Sequence, residues 1–213
     1  MEKCVLITRP NYDLATFYLY AWSSKIFTEA ETHGFEVLKL EKEDVTPSKF
    51  QGIILKKSPN LVFLNGHGDE KTVFGQNGVK LLTAGINEKL LAEKIAYAVS
   101  CSSAKVLGPN STSAGALGYI GYDAEFSFLI DTNYTSRPLQ DRLAQVFLGH
   151  STTLLYQLLK GNTIEVAYNK AKTELKAKLI EFSSTENSDP QIVQKLWWDM
   201  EHFVYHGNGN AHL

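Results

Sequence analysis

Short runs of wholly apolar residues recur along this chain, and segments of helix length separate them. Val5-Leu6-Ile7, Leu61-Val62-Phe63-Leu64 and Ile95-Ala96-Tyr97-Ala98-Val99 carry no polar residue on either side of the pleat. A strand that is apolar on both faces is buried on both faces, which is the condition of a parallel sheet covered by helices. The intervening segments agree. Asp13 can cap a helix running to about Thr32, with Gly34 as its stop, before the alternating strand 35–40. Thr46-Pro47 pairs a cap with proline at the first helical position, so a second helix runs to about Lys57. Thr72-Val73-Phe74 and Val79–Leu82 flank Gly75-Gln76-Asn77-Gly78 and form a small hairpin. A short helix is expected around Asn87–Glu93, and a fifth strand over Ala116–Ile120. From about Pro138 the chain turns helical, with a break and recap at Gly161-Asn162-Thr163, a polar linker over Ser183–Pro190 and a helix over Gln191–Met200. His202–Tyr205 reads as a sixth strand. Strands joined by helices imply right-handed crossovers and an α/β fold with a mostly parallel sheet of about six strands.

The bulk properties narrow the function. A net charge of -2 from 21 basic and 23 acidic side chains supplies no electrostatic footprint for nucleic acid. The most basic stretch, Lys170–Lys178, contains Glu174 and reads as the solvated face of a helix. Two cysteines, Cys4 and Cys101, exclude a disulfide framework. Without a stretch of eighteen apolar residues or a leader-like start, the expectation is a cytoplasmic protein that neither binds nucleic acid nor enters a membrane. Glycine-rich phosphate loops are absent, and His202 and His206 lack the glutamate of a zinc-protease helix, position 203 being Phe. No cofactor or metal is expected.

Two strand ends carry chemistry. Leu61–Leu64 runs into Asn65-Gly66-His67-Gly68, and Ile95–Val99 runs into Ser100-Cys101-Ser102-Ser103. Ligands of open parallel sheets bind beyond the carboxyl ends of the strands. If these strands are neighbours, His67 and Cys101 emerge side by side. A free thiol is only a few per cent thiolate at neutral pH, so a nucleophilic cysteine needs an imidazole to take its proton. The backbone N–H groups of Gly68 and Cys101 are the natural donors to a developing oxyanion. Each residue alone is a weak sign, because a single cysteine at a strand end more often packs as a small apolar side chain.

Together the blocks Phe63-Leu64-Asn65-Gly66-His67-Gly68 and Val99-Ser100-Cys101 resemble the signature of the clan CD cysteine peptidases, which include caspases, metacaspases, gingipains and the bacterial CHAT proteases. Ala114–Phe128 is similar to the strand and pocket-forming loop that follow the cysteine there, and Thr163–Lys178, with Glu165-Val166-Ala167, is similar to a CHAT helix. The resemblance spans about residues 4–178, with its specificity in the two short blocks. It implies a three-layer α/β/α caspase-like sandwich and one peptidase domain over residues 1–213, helical from about 138. It also implies a cysteine endopeptidase with Cys101 as nucleophile and His67 as general base, acting on a protein or peptide. The alternative is an inactive caspase-fold regulatory or protein-binding module. The 34 residues between His67 and Cys101 are fewer than the roughly 50 of caspases. Val-Ser-Cys, with Val99 where caspases have Gln, is closest to the gingipain form.

Specificity has three readings. Asp123 and Glu125 follow the fifth strand, where related enzymes build the pocket for the residue before the scissile bond, and favour a basic residue. Arg9, after the first strand, would favour an acidic one. Val99 and its neighbours would line an uncharged pocket. The plainer reading of Asp123 and Glu125 is surface acids or partners of Arg9. Trp197-Trp198 reads as an aromatic plug that could, if exposed, dock a regulatory partner.

Overall fold

The structure, a computed structural model, describes residues 3–185 and 189–213. Its centre is a six-stranded sheet. In chain order the strands are β1 (Cys4–Arg9), β2 (Glu36–Glu41), β3 (Leu61–Asn65), β6 (Ile95–Val99), β7 (Gly118–Tyr122) and β8 (Phe203–Gly207); β4 (Thr72–Phe74) and β5 (Lys80–Thr83) form a separate two-stranded hairpin. The sheet order is β2-β1-β3-β6-β7-β8. All pairs are parallel except the last, where β8 runs antiparallel to β7.

The apolar runs divide strictly by parity. Val5, Ile7, Leu61, Phe63, Ile95, Tyr97, Val99, Ile120 and Tyr122 face one core; Leu6, Val62, Leu64, Ala96, Ala98 and Tyr119 face the other. On the first face lie α1 (Leu14–Trp22), α2 (Phe27–Thr32), α5 (Arg142–Leu159), α6 (Ile164–Ser184) and α7 (Pro190–His202). The second face is covered by α3 (Pro47–Lys57), α4 (Leu107–Ser113) and the hairpin. Burial on both faces is what a continuous apolar strand demands, and it yields three layers.

Three local departures have physical causes. The helix expected over 13–32 is interrupted by a tighter turn at Ser23–Ile26. There the Ser23 and Ser24 hydroxyls donate back to the carbonyls of Tyr20 and Ala21, which competes with the regular ladder. Helix α4 was not expected, because Leu107-Gly108-Pro109-Asn110-Ser111 has poor helix propensity. It forms because Leu107 and Ser111 bury against the sheet and Pro109 falls in the first turn, where its missing N–H costs nothing. His202 ends α7 rather than starting β8. Of the linker expected over Ser183–Pro190, residues 183–184 are helical, residues 186–188 lie outside the described residues, and α7 begins at Pro190.

Candidate active site

Strand order sets the site. β1 sits between β2 and β3, so chain connections leave it in opposite directions, and a crevice opens at the carboxyl edge beside it. β3 and β6 are adjacent and in register, with Asn65 opposite Val99. His67 and Cys101 therefore leave the same edge from neighbouring strands. Both line one cavity of about 160 Å³, together with Gly66, Val99, Glu125 and Phe126.

The turn after β3 can be made only of glycine. Gly66 has φ +138°, and a Cβ there would lie 2.8 Å from the Phe74 carbonyl oxygen. A Cβ on Gly68 would lie 2.0 Å from Ser100 Oγ and 2.8 Å from the Cys101 carbonyl oxygen. Such distances are closer than real contacts allow, so the two glycines let the histidine loop lie directly on the cysteine loop. Asn65 anchors the strand end by donating its side-chain amide to the Thr8 carbonyl at 3.0 Å. Beyond β6, Ser102 adopts φ +55°, an unfavourable value for a residue with a side chain, and its N–H donates to the Ala124 carbonyl at 2.7 Å. This sharp turn holds Cys101 at the rim. Among the described residues the N–H groups of Gly68 and Cys101 are not used in backbone-to-backbone hydrogen bonds.

His67 has a partner in Asp13, a residue that the sequence marks only as a helix cap. Asp13, the residue before α1, accepts from the Thr16 N–H through Oδ1 at 2.8 Å, as a cap does, while its Oδ2 lies 2.6 Å from His67 Nε2. Burial pushes the Asp13 carboxyl upward, but the hydrogen bonds from Thr16 and His67 outweigh it and hold the pKa below the ordinary value. The carboxylate thus accepts a hydrogen bond from Nε2–H and leaves Nδ1 as the ring's free nitrogen, with no partner among the described residues. Both side chains are about 40% exposed, at 45% and 39%, so the pair fixes ring orientation and tautomer more than it adds stability. The signal for Asp13 was its place in the loop after an apolar strand; what hid it was the unknown order of β1 and β3.

Cys101 is half-buried. Desolvation is the largest effect and, with the nearby Glu125 and Asp199 carboxyls, pushes its thiol pKa up, although backbone hydrogen bonding from Phe126 and from Cys101 itself pulls the other way. Its sulfur donates to the Phe126 carbonyl at 3.4 Å and makes no hydrogen bond to His67. The thiol is therefore protonated at neutral pH.

The remaining expected residues separate. Glu125 and Val99 line the cavity. Asp123 does not; its Oδ1 pairs with His202 Nδ1 at 2.7 Å. Arg9 is 4% exposed and fully occupied. It donates to Ser23 Oγ at 2.9 Å, to the Tyr20 carbonyl at 2.6 Å and to Glu41, and stacks over the Tyr20 ring. Its partner is thus Glu41, not Asp123 or Glu125, and the placement of Arg9 in the pocket does not survive. Its position at the end of β1 suggested a rim residue, but the side chain turns away beneath α1.

One acid went unnoticed. Asp199 on α7 is fully buried, accepts from the Ser127 N–H at 3.4 Å through Oδ1, and leaves Oδ2 without a partner. Burial pushes its pKa up to about 8, against the pull of the Ser127 N–H and of Lys195, so it is protonated at neutral pH. With Lys195 and Trp198 it secures the segment 125–127: Lys195 Nζ donates to Ser127 Oγ at 3.0 Å and Trp198 Nε1 to the Glu125 carbonyl at 2.8 Å. Among the described residues no three His, Cys, Asp or Glu side chains converge as metal ligands would, and no helix is long and apolar enough to cross a membrane.

No protein-family model and no curated protein matches the chain. Among solved structures it is similar to a complex of the pro- and mature domains of RgpB from Porphyromonas gingivalis, with a TM-score of 0.63 and 11% identity. The match covers 99% of this chain and 48% of that one, so the chain spans about half the length of its structural neighbour. The six-stranded, mostly parallel sheet flanked by helices on both faces is a caspase-like fold.

Proposed function

We propose that this chain is a cysteine endopeptidase in which Cys101 attacks a peptide carbonyl and His67 carries the proton. The observation that carries this reading is the shared cavity of His67 and Cys101, with Asp13 fixing the imidazole by Nε2. RgpB is a gingipain of the clan CD cysteine peptidases, and likeness of fold supports the same chemical class.

In this reading the steps are as follows. At rest Cys101 is a thiol. As a substrate carbonyl enters, Nδ1 of His67 takes the thiol proton while sulfur forms the C–S bond. The carbonyl oxygen becomes an oxyanion held by the Gly68 and Cys101 N–H groups. The imidazolium, stabilised by Asp13, gives its proton to the leaving amine, and the C–N bond breaks to leave a thioester. Water, deprotonated by His67, then adds to the thioester carbonyl, and its collapse returns the thiol and releases the carboxylic acid. Among the described residues the N–H groups of Phe128, Leu129 and Ile130 are unused in backbone hydrogen bonds, so this segment offers an extended substrate an edge to pair with. Cleavage after a basic residue would rest on Glu125, since Asp123 is paired outside the cavity and Asp199 is neutral and covered.

The test is cleavage of a peptide library by wild type, Cys101→Ala and His67→Ala. Activity in the first and none in the variants supports the reading; equal activity in all three refutes it. A second reading is favoured by one observation: the thiol pKa is raised and its proton is held by the Phe126 carbonyl, as suits an inactive caspase-fold binding module. Thiol-directed electrophiles separate the two, because an activated Cys101 reacts faster than a free thiol and a resting one more slowly.

A further inference from the structure

Helix α7 presents a second cleft, separate from the Cys101 cavity but sharing Glu125 with it. It encloses about 530 Å³ and is lined by Trp197, Trp198, Gln191, Gln194, Lys195 and Glu125. Trp197 is 50% exposed and Trp198 38%, an unusual cost for two adjacent indoles on a surface helix. Trp198 is fixed by its bond to the Glu125 carbonyl, whereas the Trp197 ring nitrogen makes no hydrogen bond among the described residues. Glu125 belongs to both concavities, lining the Cys101 cavity and this cleft.

We propose that the Trp197–Trp198 cleft binds a large apolar side chain of the same polypeptide that occupies the Cys101 site. This rests on the peptidase reading and extends it. The shared wall argues for one occupant: Glu125 lines both concavities, and Ser127 of this cleft adjoins Phe128 of the Cys101 cavity. Extended chain advances roughly 3.3 Å per residue with side chains alternating in direction, so the residue entering the cleft stands a few positions from the scissile bond. The lining chemistry selects its type. Two flat aromatic faces flanked by the Gln191 and Gln194 amides suit an aromatic or long aliphatic side chain. Lys195 is taken up by Ser127, and Glu125 offsets its charge, so the cleft has no net charge with which to choose an ion.

The experiment measures kcat/KM on peptides that differ only in carrying Leu, Phe or Ala at those positions, with wild type, Trp197→Ala and Trp197→Phe. Wild type is expected to favour the large residues about tenfold over Ala, mainly through KM, the scale of burying one such side chain. Trp197→Ala should abolish that ratio and Trp197→Phe should largely restore it. Cleavage with a ratio that Trp197→Ala leaves intact overturns the proposal. A wild type that cleaves nothing refutes the peptidase reading, and the cleft is then decided by binding to the Cys101→Ala protein. Of its three tryptophans Trp22 is buried, so quenching by the Leu or Phe peptide reports on Trp197 and Trp198. Quenching that is lost in Trp197→Ala keeps the cleft as a peptide site, and no quenching overturns it.

Discussion

Replacing Asp199 by Asn should change how stability depends on pH, whatever the chain's activity. In the folded protein burial keeps the Asp199 carboxyl protonated up to a pKa of about 8, and Oδ2 has no partner. In the unfolded chain an ordinary aspartate loses its proton near 3.9. Between those values the native state holds a proton that the unfolded state has released, so stability falls as pH rises. The slope is about 1.4 kcal/mol per pH unit, which accumulates to roughly 4 kcal/mol between pH 4 and pH 7. His150 acts in the opposite sense. Buried on α5, its ring pKa is pushed down to about 3, so it is neutral when folded and protonated when unfolded below about 6.5. Its contribution rises with pH over that interval and masks the Asp199 term in the wild-type curve. The comparison with Asp199→Asn cancels His150. Asparagine keeps an oxygen for the Ser127 N–H and adds no charge, so the variant should match wild type near pH 4. It should then gain on wild type with each unit up to about pH 8, measured by urea unfolding at half-unit intervals. A difference independent of pH would refute the claim that Asp199 is buried as the neutral acid.

Asp13→Asn should keep the cap on α1 yet lower kcat/KM by roughly 10²–10⁴, because the amide cannot hold the imidazolium; thermal unfolding should be nearly unchanged. Gly68→Ala should cost about 1–3 kcal/mol in unfolding free energy, since its Cβ would strike Ser100 Oγ and the Cys101 carbonyl. Arg9→Ala should lower stability by denaturant titration and leave residue preference before the scissile bond unaltered, because its donors are spent on Ser23, Tyr20 and Glu41. Glu125→Ala should weaken cleavage after Arg or Lys far more than Asp123→Ala does, measured as kcat/KM; the opposite order would return the pocket to Asp123.

Much of the fold was legible because its information is local. Strands apolar on both faces declare a covered parallel sheet, and the Thr46-Pro47 cap placed the start of α3 at Pro47, its end falling at Lys57 as expected. Helix α4 was not legible, since Gly108 and Pro109 argue against a helix that only burial of Leu107 and Ser111 makes favourable. The same division runs through the site. Gly66-His67-Gly68 and Cys101 announce themselves by chemistry at strand ends, and the glycines by the close approach they permit. Asp13 and Asp199 carry no such mark, because a carboxylate's role depends on what lies opposite it in space. Asp13 meets His67 across 54 residues only because β1 pairs with β3, and Asp199 is protonated only because α7 turns it into the core. Arg9 shows the converse: its position at a strand's end is a property of the sequence, but the direction of its side chain was decided by Glu41, Ser23 and Tyr20. Residue type and periodicity fix which groups can do chemistry and which edge they reach; burial, strand order and the pairing of distant charges decide which of them meet.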